Sequence, residues 1–194
     1  MQPVRALLII ILTTNLLGGC AAAIVGGAAV GISAVHERRS VGTMIDDEGI
    51  EWKVKSAING DKSLRSQSHI NVISLNGVVL LVGQTPAEAL SQQATSLAKG
   101  IENVRMVHNE LTIAAPNSYM TRTSDSYITS KVKTSLFNVK GHDDFDPTRV
   151  KVVTENGTVY LMGIVYRSEA DGAAKQASRV GGVQKVVKLF EYLD

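Results

Sequence analysis

The stretches "SLNGVVLLVG" at residues 74–83 and "TENGTVYLMG" at residues 154–163 decide how this chain is read. Each sets Asn-Gly between two apolar runs and closes on a glycine. A two-residue type I′ turn needs positive φ at both central positions, which Asn and Gly tolerate best. Such a turn fixes the strand register. In the first copy Val72 faces Leu81, Ser74 faces Val79 and Ile70 faces Gly83; in the second Val152 faces Leu161, Thr154 faces Val159 and Val150 faces Gly163. The competing reading is a glycine loop for phosphate. That needs more glycines and a strand-to-helix switch at the turn, and neither stretch supplies them.

The matching extends outward from both hairpins. Ahead of them, Ile50, Val54, Ala57 and Ile58, and again Ile128, Val132, Ser135 and Leu136, follow the i, i+4, i+7, i+8 spacing of an amphipathic helix. The expected caps are Asp46 or Asp47 in the first copy and Ser124 or Asp125 in the second, with Asp47, Glu48 and Glu51 at the positive helix end. After the first hairpin, Thr85, Pro86, Ala87 and Glu88 read as a capping box with Pro at the first helical position. Its helix runs through Leu90, Ala94, Leu97 and Ala98 to Gly100. In the second copy Ser168 is the expected cap, Asp171 sits three residues on, and Ala170, Ala173, Ala174 and Ala177 line the inner face as far as Gly181. A third strand is expected at residues 104–113 and 183–193.

The fold class is therefore α+β. Each of two tandem domains is α-β-β-α-β, with two helices packed on a three-stranded mixed sheet. A domain of about seventy residues buries only about 60% of its unfolded surface, so pairing two of them helps. The sheet face away from the helices differs between copies. Ile73, Leu75, Val78, Leu80 and Val82 make the first apolar, whereas Lys151, Val153, Glu155, Thr158, Tyr160 and Met162 make the second mixed. A bare patch of five apolar side chains is unusual on a soluble domain. The second domain is expected to cover it.

The N-terminus reads as a targeting segment. Arg5 supplies a positive start, residues 6–17 are almost wholly apolar, and "LGGC" follows at residues 17–20. This resembles a bacterial lipoprotein signal (residues 1–19), with Cys20 becoming the lipidated first residue of the mature chain and residues 20–45 its tether. A buried free thiol is the bland alternative. An uncleaved membrane anchor is another, because residues 21–35 continue the apolar run and Gly27 and Gly31 fit a helix-packing spacing. In Gram-negative lipoproteins, Ala21 rather than Asp after the cysteine implies sorting to the outer membrane.

Charge and composition exclude several classes. With 20 Lys and Arg against 18 Asp and Glu, the net charge of +2 does not argue for nucleic acid, and no basic run is interleaved with aromatics. Cys20 is the only cysteine, so there is no disulfide framework or thiolate metal site. His36, His69, His108 and His142 lie in separate segments without ligand spacing. His142 with Asp143, Asp144 and Asp146 lacks the closing Glu of a calcium loop and reads as a solvated loop. No serine elbow or paired-carboxylate motif stands out. Neither an enzyme nor a cofactor is expected.

With both repeats laid out, the chain resembles the dual BON-domain outer-membrane lipoproteins. The residues that carry the resemblance are Asn76, Gly77, Val79, Leu81 and Gly83, then Asn156, Gly157, Val159, Leu161 and Gly163. A closing Gly182, Val183 and Val186 follows, for which the first copy has Asn103, Val104 and Val107. The resemblance implies BON domains at residues 46–115 and 124–194 joined by a linker at 116–123. It also implies a non-enzymatic protein at the periplasmic face of the outer membrane that binds anionic phospholipid through its second domain. Support of envelope integrity at the division site, with outer-membrane assembly or division-site proteins as partners, is implied too. The lipid-contacting element would be the first helix of domain two, entered at Tyr127, where the family usually has Trp, with Lys131 and Lys133 beside it.

The residues agree on sign. Residues 46–115 hold six Lys and Arg against eight Asp and Glu, whereas residues 119–194 hold eleven against nine. Only the second domain has the sign that an anionic surface attracts. Tyr127 and Lys133 fall on opposite flanks of the buried stripe centred near Val132, so both are expected to be exposed. Trp52 lies on the outer face of the matching helix in domain one, where interdomain packing could cover it. A monomer is expected. The alternative function is an envelope adaptor whose domains bind a protein partner and whose lipid anchor only tethers them.

Overall fold

Ser40 opens the first domain: its hydroxyl accepts from the Thr43 N–H at 3.1 Å and starts helix α1 (Val41–Gly60). The structure, a computed structural model, describes residues 39–139 and 145–194. Asp61 then accepts from the Ser63 and Leu64 N–H groups and caps a short α2 (Lys62–Gln67). Strands β1 (His69–Leu75) and β2 (Val78–Thr85), helix α3 (Glu88–Lys99) and strand β3 (Met106–Ile113) complete the domain. The second domain repeats the order: α4 (Tyr119–Leu136), a 3₁₀ turn (Pro147–Arg149), β4 (Lys151–Glu155), β5 (Thr158–Val165), α5 (Arg167–Ser178) and β6 (Lys185–Tyr192).

Both hairpins have the expected turn. Asn76 and Gly77 sit at φ 52° and 72°, Asn156 and Gly157 at 49° and 72°. Val72 pairs with Leu81 and Val152 with Leu161 in antiparallel ladders, and β3 and β6 add in parallel. Val150 lies just before β4, so its expected pairing with Gly163 is not part of the ladder. The closing glycine has a steric cause. A Cβ on Gly83, at φ +125°, would fall on the His69 carbonyl oxygen.

Several helix starts depart from the sequence reading. Helix α4 begins after Ser118, whose hydroxyl accepts from the Thr121 N–H at 3.2 Å, so Ser124 and Asp125 are not its cap. Asp46 and Asp47 likewise lie inside α1. Both true starts carry Ser-x-x-Thr, and the two hydroxyls pair at 2.9 Å in α1 and 3.0 Å in α4. The expected capping box at Thr85 does not form, because the parallel ladder pairs Thr85 with Ile113 and α3 starts after Ala87 without a side-chain cap. Nor is Ser168 a cap. The Glu169 carboxylate instead reaches back to accept from the Tyr166 N–H at 2.8 Å.

Each domain closes a core between its helices and one sheet face. The first joins Ile50, Val54, Ile58 and Leu64 to Val72, Val79, Leu81, Ala94 and Ala98. The second joins Ile128, Val132 and Leu136 to Val152, Val159, Leu161 and the α5 alanines. A third apolar cluster lies between the sheets: Ile73, Leu75, Val78, Leu80 and Val82 against Tyr160 and Met162. Domain two covers the apolar face of domain one with its own open sheet face. The layers run helices, sheet, sheet, helices, so the outer faces of α1 and α4 point away from each other.

Polar side chains close the rim of this interface. Lys151 Nζ donates to Glu51 Oε1 at 2.7 Å and to the Ser74 carbonyl at 3.0 Å. Glu155 accepts from Gln84 Nε2 at 2.7 Å and Asn71 Nδ2 at 3.2 Å. Asn76 and Arg105 both donate to Glu191. Burial, with the charges of Glu110 and Glu155, pushes the Tyr160 phenol up to about 12. The mixed character of the second sheet face thus has a use: its apolar members fill the centre and its charged members pair at the edge.

Candidate functional site

Helix α4 buries Asp125, Ile128, Val132 and Leu136. At 3.6 residues per turn, the opposite face carries Tyr119 and Met120 in the first turn, Tyr127 in the middle and Phe137 just past the end. All four are exposed, Tyr127 by 66%. Lys131, one turn beyond Tyr127, places Nζ 5.2 Å from the ring centroid and donates to the Gly181 carbonyl at 3.0 Å. This cation over the ring holds the phenol outward. Lys133 is exposed on the other flank and, among the described residues, makes no hydrogen bond or ion pair. The fold therefore brings Tyr127 and Lys131 together and sets Lys133 apart. Cys20 and the signal segment lie outside the described residues, as do His142, Asp143 and Asp144.

Tyr119, Met120 and Phe137 were not among the sequence candidates. The Ser-x-x-Thr at residues 118–121 was the available signal, since it moves the helix start back and places two large side chains on the outward face. Along its length α4 holds Arg122, Lys131 and Lys133 against Asp125, whereas α1 holds Lys53 and Lys55 against Asp46, Asp47, Glu48 and Glu51. Trp52 on α1 is not covered by the other domain; it is 70% exposed.

The buried aspartates are the other feature the sequence reading misplaced. Asp47 accepts from the Asn76 and Gly77 N–H groups at 2.7 and 2.9 Å, from Ser74 Oγ at 2.7 Å and from Arg39 Nη1 at 2.9 Å. Asp125 accepts from the Asn156 and Gly157 N–H groups at 2.8 and 2.9 Å. A type I′ turn leaves these amides without ladder partners, and a helix carboxylate takes them in each domain. Among the described residues, no group of three or more His, Cys, Asp or Glu side chains could hold a metal ion.

Two α-β-β-α-β units packed sheet to sheet, with one basic helix presenting aromatics, define a tandem two-domain class. The BON domain family profile matches residues 46–115 and 124–194, and the chain belongs to the BON-domain family. Outer membrane lipoprotein DolP of Haemophilus influenzae is 43% identical over 194 residues, which is 100% of this chain and 99% of that one. The 21 kDa hemolysin of Actinobacillus pleuropneumoniae is 39% identical over 80% of this chain and 78% of its own length. Osmotically-inducible protein Y of Escherichia coli is 35% identical over 75% and 72%. None of these names denotes an enzyme. Among solved structures, the C-terminal domain of the type III secretion structural protein CdsD of Chlamydia trachomatis aligns over 74% of this chain and 96% of its own. Its TM-score of 0.30 and 10% identity carry no argument. The full-length match places this chain with the outer-membrane lipoproteins, and among the described residues no helix is long and apolar enough to cross a membrane.

Proposed function

We propose that this outer-membrane lipoprotein is non-enzymatic, is anchored by acyl chains on Cys20, and binds anionic phospholipid through the outward face of α4. A role in envelope integrity at the division site belongs to the same proposal. The observation that carries it is Tyr127, exposed on a basic helix with Lys131 over its ring and Met120 and Phe137 on the same side. Aromatic and thioether side chains suit the headgroup boundary, and lysines suit its anionic charge. Three acyl chains of roughly sixteen carbons, at about 0.8 kcal/mol per buried CH₂, hold Cys20 without help. Contact through α4 then serves to orient the domains and to select the lipid beneath them.

The test is to titrate unlipidated Cys20→Ala protein with vesicles of phosphatidylglycerol or of phosphatidylcholine. Binding to the first alone, weakened by salt, is expected. Equal indifference to both would favour the adaptor. That second reading has its own observation: Trp52 stands beside a groove formed with Lys55, Ser56 and Asn59 on the acidic α1. Because α1 faces away from α4, a protein could occupy it while α4 lies on the membrane.

A further inference from the structure

The two domains meet at two equivalent corners, and only one is filled. At the first, Lys151 of β4 reaches across to Glu51 of α1 and to the Ser74 carbonyl, while Arg39 pairs with Asp47. At the second, the repeat puts Asn71 where Lys151 stood, Thr129 where Glu51 stood and Asn117 where Arg39 stood. Both cations and one carboxylate have gone. What remains is a cleft of about 380 Å³ between β1, α4 and β4.

Its lining is short of positive charge. Asp125, 5% exposed, accepts two hydrogen bonds where Asp47 accepts four. Glu155, also buried, has only amide donors, from Gln84, Asn71 and Asn117. Neither carboxylate has a cation within ion-pair distance among the described residues. Thr154, equivalent to Ser74, lies on the edge strand in a pair whose carbonyl points out of the ladder. Arg122 stands exposed at the rim. Buried carboxylates without a cation are costly, and at the filled corner Arg39 supplies that cation to Asp47.

We propose that this cleft binds a primary ammonium group carried on a phosphate, the phosphoethanolamine class, either free or as a lipid headgroup. The ammonium supplies the cation that Asp47 has in Arg39 and Asp125 lacks, donating toward Asp125 and toward the Thr154 carbonyl, the counterpart of the Ser74 carbonyl that Lys151 reaches. The phosphate is left at the mouth, beside Arg122. The site is separate from the outward face of α4 and does not rest on the anionic-lipid reading.

The test is calorimetric titration of the full-length protein in non-ionic detergent with O-phosphoethanolamine, O-phosphocholine and inorganic phosphate. Saturable binding of the first is expected, with the other two at least roughly tenfold weaker because neither donates from an ammonium. N71K/T129E, which copies the Lys151–Glu51 pair of the filled corner, should abolish binding while melting at or above the parent temperature. Asn71→Lys alone serves if the double variant fails to fold, and Arg122→Ala should weaken binding several-fold. Tyr127→Ala should leave it unchanged, which separates this site from the lipid face. Mixed micelles of phosphatidylethanolamine that compete, where phosphatidylcholine micelles do not, identify the headgroup as the source. If neither competes, the ligand is the free compound. Equal affinity for O-phosphocholine, no binding of O-phosphoethanolamine, tighter binding of Nα-acetyl-lysine amide, or undiminished binding in the filled-corner variant would each overturn the proposal.

Discussion

Helices α1 and α4 occupy the same place in the repeat and have diverged mostly on their outward side. Inward they match: Asp47 with Asp125, Ile50 with Ile128, Val54 with Val132, Ile58 with Leu136. Outward, α1 is acidic and exposes Val41, Ile45 and Trp52, whereas α4 is basic and carries Tyr119, Met120, Tyr127 and Phe137. The inner stripe answers to a core that both domains need, so duplication preserved it. The outer face answers to whatever lies beyond the domain. Because the sheets pack against each other, those outer faces look in opposite directions, and one membrane cannot serve both.

The largest effect should come from breaking the arrangement that makes the helices face apart. Leu80 is fully buried between the sheets, so Leu80→Lys places an unpaired charge there and should cost about 4 kcal/mol. Chemical denaturation would then show a lowered midpoint, with the two domains unfolding in separate steps. An unchanged single transition would show that the sheet contact contributes little.

The aspartates sharpen the comparison next. Asp47→Ala strands four donors and should cost about 3 kcal/mol, while Asp125→Ala strands two and should cost about 1.5 kcal/mol. Equal losses, measured as unfolding free energies, would mean that Arg39 and Ser74 add nothing to the first turn.

The hairpins, their register, the order of elements and the covered sheet face were legible in the sequence, because Asn-Gly fixes the turn and alternation fixes the faces. Asn103 shows the same physics without glycine: it takes φ 68° where the second copy has Gly182 at 104°. The aspartates misled for a physical reason. Asp before an amphipathic run is the usual sign of a helix start, yet here Asp47 and Asp125 serve a turn distant in sequence. A bond from a helix to a hairpin some thirty residues on leaves no local periodic trace. Tyr127 and Lys133 were legible as exposed, but the Lys131 contact with Gly181 depends on a loop that only the tertiary fold brings near.

A smaller effect concerns the filled corner. Burial raises the Glu51 carboxyl, but hydrogen bonds from Lys151, the Ser74 N–H and Lys55 outweigh it and hold the group below its ordinary 4.5. A lowered folded value stabilises the protein above the ordinary carboxylate range, and that contribution is lost as pH falls from 4.5 through the lowered value. Lys151 is partly exposed, so Lys151→Met should cost under about 1 kcal/mol at neutral pH. Melting temperature followed from pH 7 down to 3 should fall less steeply in this variant than in the parent. Parallel curves would show that the pair does not set the acid response.

The outward faces themselves should matter least for stability and most for function. Tyr127→Ala and Trp52→Ala should each change stability by under about 0.5 kcal/mol, as exposed positions do. The measurement that tests the central claim most directly is the binding of these two variants, each unlipidated, to phosphatidylglycerol vesicles beside the unlipidated parent. Tyr127→Ala should bind roughly tenfold more weakly, about the worth of one interfacial aromatic with its cation, and Trp52→Ala should bind like the parent. Equal loss in both variants, or loss in Trp52→Ala alone, would contradict the account that α4 is the membrane face and α1 looks away from it.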